Sequence, residues 1–155
     1  MSELDTNTKD PLIAAFFTIE MQGAIKGVFK SLENIGSENE LTEYKASGDK
    51  GQQVVKYQPG LLKWNPITLK QGVTDDLFFW DWRALVEQGD MTAARKNGSF
   101  VMHNTKGEAV AQWDFINAWP RSIKGPSADA TSSEVAIEEL EIVCEGYARK
   151  KPTKA

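Results

Sequence analysis

Apolar and polar residues alternate along most of this chain, the period-two pattern of strands with one face on a core and one in water. Phe17, Ile19 and Met21 alternate with Thr18, Glu20 and Gln22. Gly23-Ala24 offers a tight turn, after which Ile25, Gly27 and Phe29 alternate with Lys26 and Lys30, so a hairpin opens the fold. Leu32 to Gly36 leaves that hairpin, and Leu41 to Lys45 predicts a third, polar strand. The stretch from Ala46 to Gln58 is rich in Ser, Gly, Asp, Lys and Gln and predicts a long loop or extended arm. Loops of that length without structure of their own are usually functional.

The rhythm changes between Pro59 and Val86, which reads as a turn at Pro59-Gly60, a strand and one amphipathic helix. Ile67, Leu69 and Gln71 alternate with Thr68 and Lys70 until Gly72. Thr74 can cap a helix whose first turn holds Asp75 and Asp76, where carboxylates oppose the positive end of the macrodipole. Gly89 stands where a left-handed C-cap is wanted. Phe78, Trp82, Leu85 and Val86 fall on one helical face, so this helix must lie on something apolar.

Asp90 to Lys96 reads as a polar connector and Asn97-Gly98 as a turn into Ser99-Phe100-Val101-Met102-His103. Thr105-Lys106-Gly107 closes a hairpin whose return strand puts Ala111, Trp113 and Phe115 on one face and Gln112 and Asp114 on the other. Pro120, lacking a backbone N–H, is expected to stop that ladder. In the last strand Val135 and Ile137 have one parity, and Leu140, Ile142 and Cys144 the other, which predicts a β-bulge at Glu138-Glu139. The fold class that follows is mainly β: an antiparallel β-barrel or orthogonal β-sandwich of about seven to eight strands with one flanking α-helix. A single domain is expected over 1–155, with flexible tails at 1–10 and 149–155.

Composition narrows the function. At 155 residues the chain suits one core. No apolar run approaches the ~20 residues that span a bilayer, and Met1 to Asp10 contains no signal-peptide h-region. Net charge is −4, with 22 acidic against 18 basic residues, which argues against a dedicated nucleic-acid surface. One cysteine, Cys144, excludes an internal disulfide framework and fits a reducing cytoplasm.

The chemistry search returns no catalytic, cofactor-binding or metal-ligating constellation. His103 is the only histidine and sits mid-strand, Cys144 shares the parity of Leu140 and Ile142, and Asp75, Asp76 and Asp81 are explained by their helix. Asn97-Gly98-Ser99 matches a glycosylation sequon but reads as turn chemistry in the absence of a secretion signal. Of five tryptophans, Trp82 and Trp113 belong to apolar faces; Trp64, Trp80 and Trp119 serve either a ligand pocket or a subunit contact.

Several runs carry a resemblance. Leu69-Lys70-Gln71-Gly72-Val73-Thr74-Asp75-Asp76 followed by Trp80-Asp81-Trp82-Arg83, then Trp113-Asp114-Phe115-Ile116-Asn117-Ala118-Trp119-Pro120, Gly125-Pro126 and Glu134 to Ile142 resemble the tail tube proteins of contractile-tailed phages and contractile injection systems, similar in fold to the type VI secretion tube protein. The likeness runs from Leu12 to Tyr147, departing at Gln71, where a basic residue is expected, and at Cys144, where the family often has His.

The resemblance implies a non-enzymatic structural subunit, needing no cofactor, of the inner tube of a contractile tail or injection system. Hexameric rings would stack into a hollow helical tube that conducts DNA or effector proteins without sequence-specific binding. Its partners would be sheath, baseplate and terminator proteins. The chain would be made in the cytoplasm and work within a virion tail or injection particle, with no membrane insertion of its own. Lys50, Val54, Val55, Tyr57 and Trp64 are the expected subunit or ring interface, because the apolar residues of the arm need a neighbour. Thr18, Glu20, Gln22, Gln112, Asp114, Glu139 and Glu141, on polar strand faces, are the expected lining of the bore. The alternative is a monomeric β-barrel that binds a small ligand inside.

Overall fold

The computed structural model describes residues 11–126 and 135–152, which contain ten strands and two helices. In chain order these are β1 (Phe16–Met21), β2 (Ala24–Phe29), β3 (Ser31–Glu33), β4 (Ser37–Ser47), β5 (Gln53–Trp64), β6 (Ile67–Gly72), α1 (Phe78–Glu87), α2 (Met91–Ala94), β7 (Lys96–His103), β8 (Ala109–Lys124), β9 (Ile137–Val143) and β10 (Gly146–Lys150). Eight strands form one antiparallel sheet in the order β2-β1-β7-β8-β9-β6-β3, with β10 also on β8. β2 and β3 are successive parts of one run, and the Lys30 amide between them donates to the Lys70 carbonyl, so the path returns on itself as a barrel. The remaining pair, β4 and β5, stands apart as a ribbon.

Alternation explains the core. Ile19 and Met21 from β1, Phe29 from β2, Ile67 and Leu69 from β6, Phe100 from β7, Phe115 from β8, and Leu140 and Ile142 from β9 fill the interior. α1 closes it from outside with Phe79 and Trp82, both buried. The Trp82 indole N–H donates to the Ala94 carbonyl of α2, and the Arg83 guanidinium donates to the Pro120 carbonyl of β8 at 3.1 Å. Thus the helix is fixed by polar contacts as well as apolar ones.

The structure alters several expectations. The Ala46–Gln58 loop is instead most of a hairpin: β4 and β5 pair through Ser47↔Gln53, and only Gly48–Gln52 turns, with Gly51 at φ +76. Ala46–Val54, Lys45–Val55 and Tyr44–Lys56 are good cross-strand pairs, which a composition reading undervalues. Pro59-Gly60 is no turn but part of β5, at a register shift opposite Asn39–Leu41; a Cβ on Gly60 would lie 2.9 Å from the Glu40 carbonyl oxygen. Asn97-Gly98 likewise lies inside β7, where glycine is demanded by close approach of β1.

α1 begins at Phe78, later than Thr74 predicts: Thr74 Oγ1 accepts from the Asp76 amide and Asp76 Oδ1 from the Phe78 amide, two local turns that delay the helix. Gly89, at φ +82, does end it. The expected connector after it contains α2, whose first turn is capped by Asp90 accepting from the Ala93 amide. Ile25 is exposed instead of sharing the face of Gly27 and Phe29, because β2 carries an extra residue, Lys26, that pairs Ile25 with Glu20. The turn before it is Gln22-Gly23, both at positive φ.

Pro120 does not stop β8, which runs on to Lys124; Pro120 pairs with Ile142 and a shift follows at Arg121. The bulge expected at Glu138-Glu139 is absent, since β9 pairs with β6 without a shift from Ile137 to Ile142. The parity conflict is resolved by burying a carboxylate. Glu138 lies on the core face and accepts from Trp80 Nε1 at 3.0 Å and Gln71 Nε2 at 3.3 Å, which offsets much of its desolvation. Val135 stays exposed before the strand begins. Arg149 is no frayed tail but part of β10 on β8, its guanidinium 5.8 Å from the centre of the Trp113 ring. The rest of the two expected tails, 1–10 and 153–155, lies outside the described residues.

Cys144 is buried, and desolvation pushes its thiol from 9.0 up to about 12. The folded state therefore holds this proton more tightly than the unfolded chain does. The associated stability is complete below pH 9 and lost as pH rises towards 12. A thiol-reactive dye at pH 8 is expected to leave the native protein unlabelled and to label it once in denaturant. Rapid native labelling would show that the site opens.

Candidate assembly surfaces

The β4–β5 ribbon is the most unusual surface. Eleven and twelve residues long, its strands reach roughly 35 Å at ~3.3 Å per residue. Cross-strand partners share a face, so Val55 lies with Lys45, Tyr57 with Glu43, and Leu41 with Pro59. Beyond that point β4 advances two residues to Asn39 while β5 advances three to Leu62. The extra residue restores parity. Val55, Tyr57, Leu41, Leu62 and finally Trp64 thereby form one apolar stripe, of which Tyr57 is 60% and Leu41 70% exposed. Without the bulge, Leu62 and Trp64 would fall on the other face.

The stripe ends against the barrel. The Trp64 ring lies 4.7 Å from that of Tyr147 in β10, and the Tyr147 hydroxyl accepts from the Gly36 amide at 2.6 Å and donates to the Gly36 carbonyl. Burial raises the Tyr147 pKa. Of the expected interface residues, Val55, Tyr57 and Trp64 share this stripe, Val54 lies on the opposite face with Ala46, and Lys50 is in the exposed turn.

The expected bore residues separate into two groups. Glu20 and Asp114 both pair with Ser99 across β1-β7-β8, and Thr18 and Gln112 both pair with Val101. Ser99 Oγ donates to Asp114 Oδ1 at 2.6 Å, and Gln112 Nε2 donates to the same oxygen at 2.7 Å. Thr18 is buried, its hydroxyl 2.9 Å from His103 Nε2, and the imidazole stacks on Phe16. Gln22 is in the exposed turn at the end of β1. Glu139 and Glu141 lie elsewhere, on β9 opposite Lys70 and Thr68, and Glu141 pairs with Arg121 at 3.2 Å. Parity alone detects which residues point outward; pairing order, invisible in one sequence, decides which of them meet.

Among the described residues no cluster of three or more His, Cys, Asp or Glu side chains is placed to hold a metal, and no helix is long and apolar enough to cross a membrane. The barrel thus carries a ribbon whose apolar stripe is left largely exposed by the described residues.

Comparison with known proteins makes this specific. Residues 14–148 match the T4-like virus tail tube protein gp19 family, and the chain belongs to that family: it is a structural tube subunit of contractile tails and injection systems. Its fold is similar to that of a chain in the anti-feeding prophage cap, described as the tube terminating cap, at TM-score 0.72 and 22% identity over 96% of each chain. It is also similar to a chain of the sheath-tube complex of PVC, an extracellular contractile injection system, in its extended state (TM-score 0.67, 21% identity, 97% of this chain and 100% of that one). A type six secretion system protein shares the fold at TM-score 0.59 and 12% identity, over 88% of this chain and 83% of that one. No curated protein sequence matches the chain.

Proposed function

We propose that six copies of this chain, each a single domain, close into rings and that the rings stack into a hollow tube. The observation that carries the reading is the β4–β5 arm, with Val55, Tyr57 and Leu41 exposed on one face in a chain of this family. Covering their remaining exposed surface recovers part of the ~1.5–3 kcal/mol that full burial of such a side chain is worth, which favours an arm seated on a neighbour. Lys50, Val54, Val55, Tyr57 and Trp64 form contacts between subunits or rings. The row through Glu20, Ser99 and Asp114 faces the aqueous bore, together with Gln22 and Gln112; Thr18, expected there too, is buried against His103 and is left out of the lining. Glu139 and Glu141 sit on the other half of the barrel and, on this arrangement, line the bore only if it is bounded there as well.

The tube acts without catalysis and carries DNA or effector proteins with no sequence-specific grip, inside a sheath and between a baseplate and a terminator. It works as part of a virion tail or injection particle after synthesis in the cytoplasm. Electron microscopy of the purified protein is expected to reveal six-fold rings or tubes. Amide exchange at Val54, Val55 and Tyr57 is expected to slow on assembly. Equal exchange in free subunits and tubes would remove the arm from the assembly mechanism.

A further inference from the structure

We infer that the Tyr147 hydroxyl is the latch that sets the direction of the β4–β5 arm, a positioning residue that acts on the main chain of Gly36 and Asn65. The latch acts within one subunit, and only its consequence for assembly rests on the tube reading above. The arm joins the barrel through two short links, 34–36 after β3 and 65–66 before β6. Every residue of β4 except Ala46 is exposed, as is every residue of β5 except Gly60 and Trp64. Neither strand forms a ladder with any other described strand. Direction is therefore set at the root.

At that root one side chain meets both strands. The Tyr147 hydroxyl accepts from the Gly36 amide at 2.6 Å and donates its single proton to the Gly36 carbonyl, with the Asn65 carbonyl 3.4 Å away as a second acceptor. The Asn65 amide in turn donates to the Gly36 carbonyl at 3.0 Å. Gly36 immediately precedes β4 and Asn65 immediately follows β5, so the hydroxyl holds both strands where they leave the barrel. Its own place is fixed, because Tyr147 pairs with Phe115 in the β10–β8 ladder and is 9% exposed. The Trp64 ring adds area, lying on the Tyr147 ring and 3.7 Å from where a Cβ would stand on Gly146. Apolar contact is non-directional, whereas hydrogen bonds weaken steeply off line, so the rings supply adhesion and the hydroxyl supplies the angle.

The length of the arm turns a small error at the root into a large one at its tip. For strands of roughly 35 Å, a swing of about 10° carries the turn at the far end about 6 Å, more than the ~4.8 Å between neighbouring strands. The outer end of an unlatched arm thus arrives at a neighbour displaced by a whole strand. A latched arm is aimed in advance, and less conformational freedom is lost when it docks.

The test uses the full chain as a soluble subunit. Spin labels on Lys50→Cys in the arm's turn and Lys106→Cys in the exposed turn between β7 and β8 report the direction of the arm, and buried Cys144 stays unlabelled. With Tyr147 in place a single narrow distance is expected. Tyr147→Phe keeps the ring and loses only the hydroxyl, and the narrow distance is expected to be lost with it. Trp64→Phe leaves the hydroxyl and its bonds intact and is expected to retain the narrow distance. A second measurement needs no variant to fold: in the unsubstituted chain the Gly36 amide, outside every strand, is expected to exchange slowly because Tyr147 accepts from it. Exchange of that amide at the free-chain rate, or a narrow distance retained in Tyr147→Phe, would overturn the latch and leave the tube reading standing. Micrographs of Tyr147→Phe are expected to show a loss of tube growth, and growth at the wild-type rate from subunits without a fixed distance would overturn the role in assembly. Absence of rings and tubes from the unsubstituted protein, with the narrow distance and the slow exchange both present, would overturn the tube reading alone.

Discussion

Trp82→Ala is expected to lower the stability of the subunit by ~3–5 kcal/mol, the range for truncating a buried tryptophan. The side chain is 1% exposed, its ring lies against those of Phe78 and Phe79, and its indole N–H is taken up by the Ala94 carbonyl. The substitution therefore leaves a cavity and strips a buried carbonyl of its donor. Against a typical total of ~5–15 kcal/mol this is a large fraction. For a chain of this size it corresponds to a fall in Tm of roughly 6–20 °C. Both helices are affected, because this one residue joins them. A melting temperature within a degree or two of wild type would show that α1 is not held this way.

Gly98→Ala is expected to cost about 3 kcal/mol, the upper end of what overpacking does in a folded core. An added Cβ would stand 2.2 Å from the Glu20 carbonyl oxygen and 2.7 Å from the Phe115 ring. The first neighbour is backbone, and it cannot retreat without opening the β1–β7 ladder, in which Glu20 pairs with Ser99. Gly125→Ala is the control, since nothing lies within 4 Å of that position, and it should be close to neutral. Denaturant midpoints of the two variants check the contrast. Amide exchange across Phe16–Met21 locates the damage: faster exchange confined to Gly98→Ala is the expected result, and identical midpoints would contradict it.

Gly98 also shows what one sequence conceals. Asn97-Gly98 has turn chemistry, and the pairing that makes glycine obligatory there comes from Glu20, 78 positions earlier. The barrel strands were legible where a single register sufficed, as in Ile67-Thr68-Leu69-Lys70-Gln71, whose apolar parity matches the core. Reading failed where register shifts. Lys26 reverses Ile25, and the extra residue near Gly60 realigns Leu62 and Trp64 with Tyr57. At Glu138 the reverse happened: a parity break that reads as a bulge is a buried carboxylate satisfied by Trp80 and Gln71. Alternation reports local geometry, and hydrogen-bond partners supplied from distant strands decide whether a polar residue can be buried. The arm stripe was legible only in part for the same reason. Its residues are visible in the chain, but their common face depends on a bulge.

The separation between partner strands has a consequence in time. The arm closes through the five residues Gly48–Gln52, whereas β1 must find β7, with Phe16 pairing to His103. Hairpins form in about 1–10 μs, and chains dominated by distant strand pairings fold in milliseconds to seconds. The arm's own pairing is therefore local and fast, whereas the Trp64–Tyr147 contact that roots it waits for strands far apart in the chain. Until the barrel closes, the ribbon exposes Leu41 and Tyr57 without the Trp64–Tyr147 contact that roots it on β10.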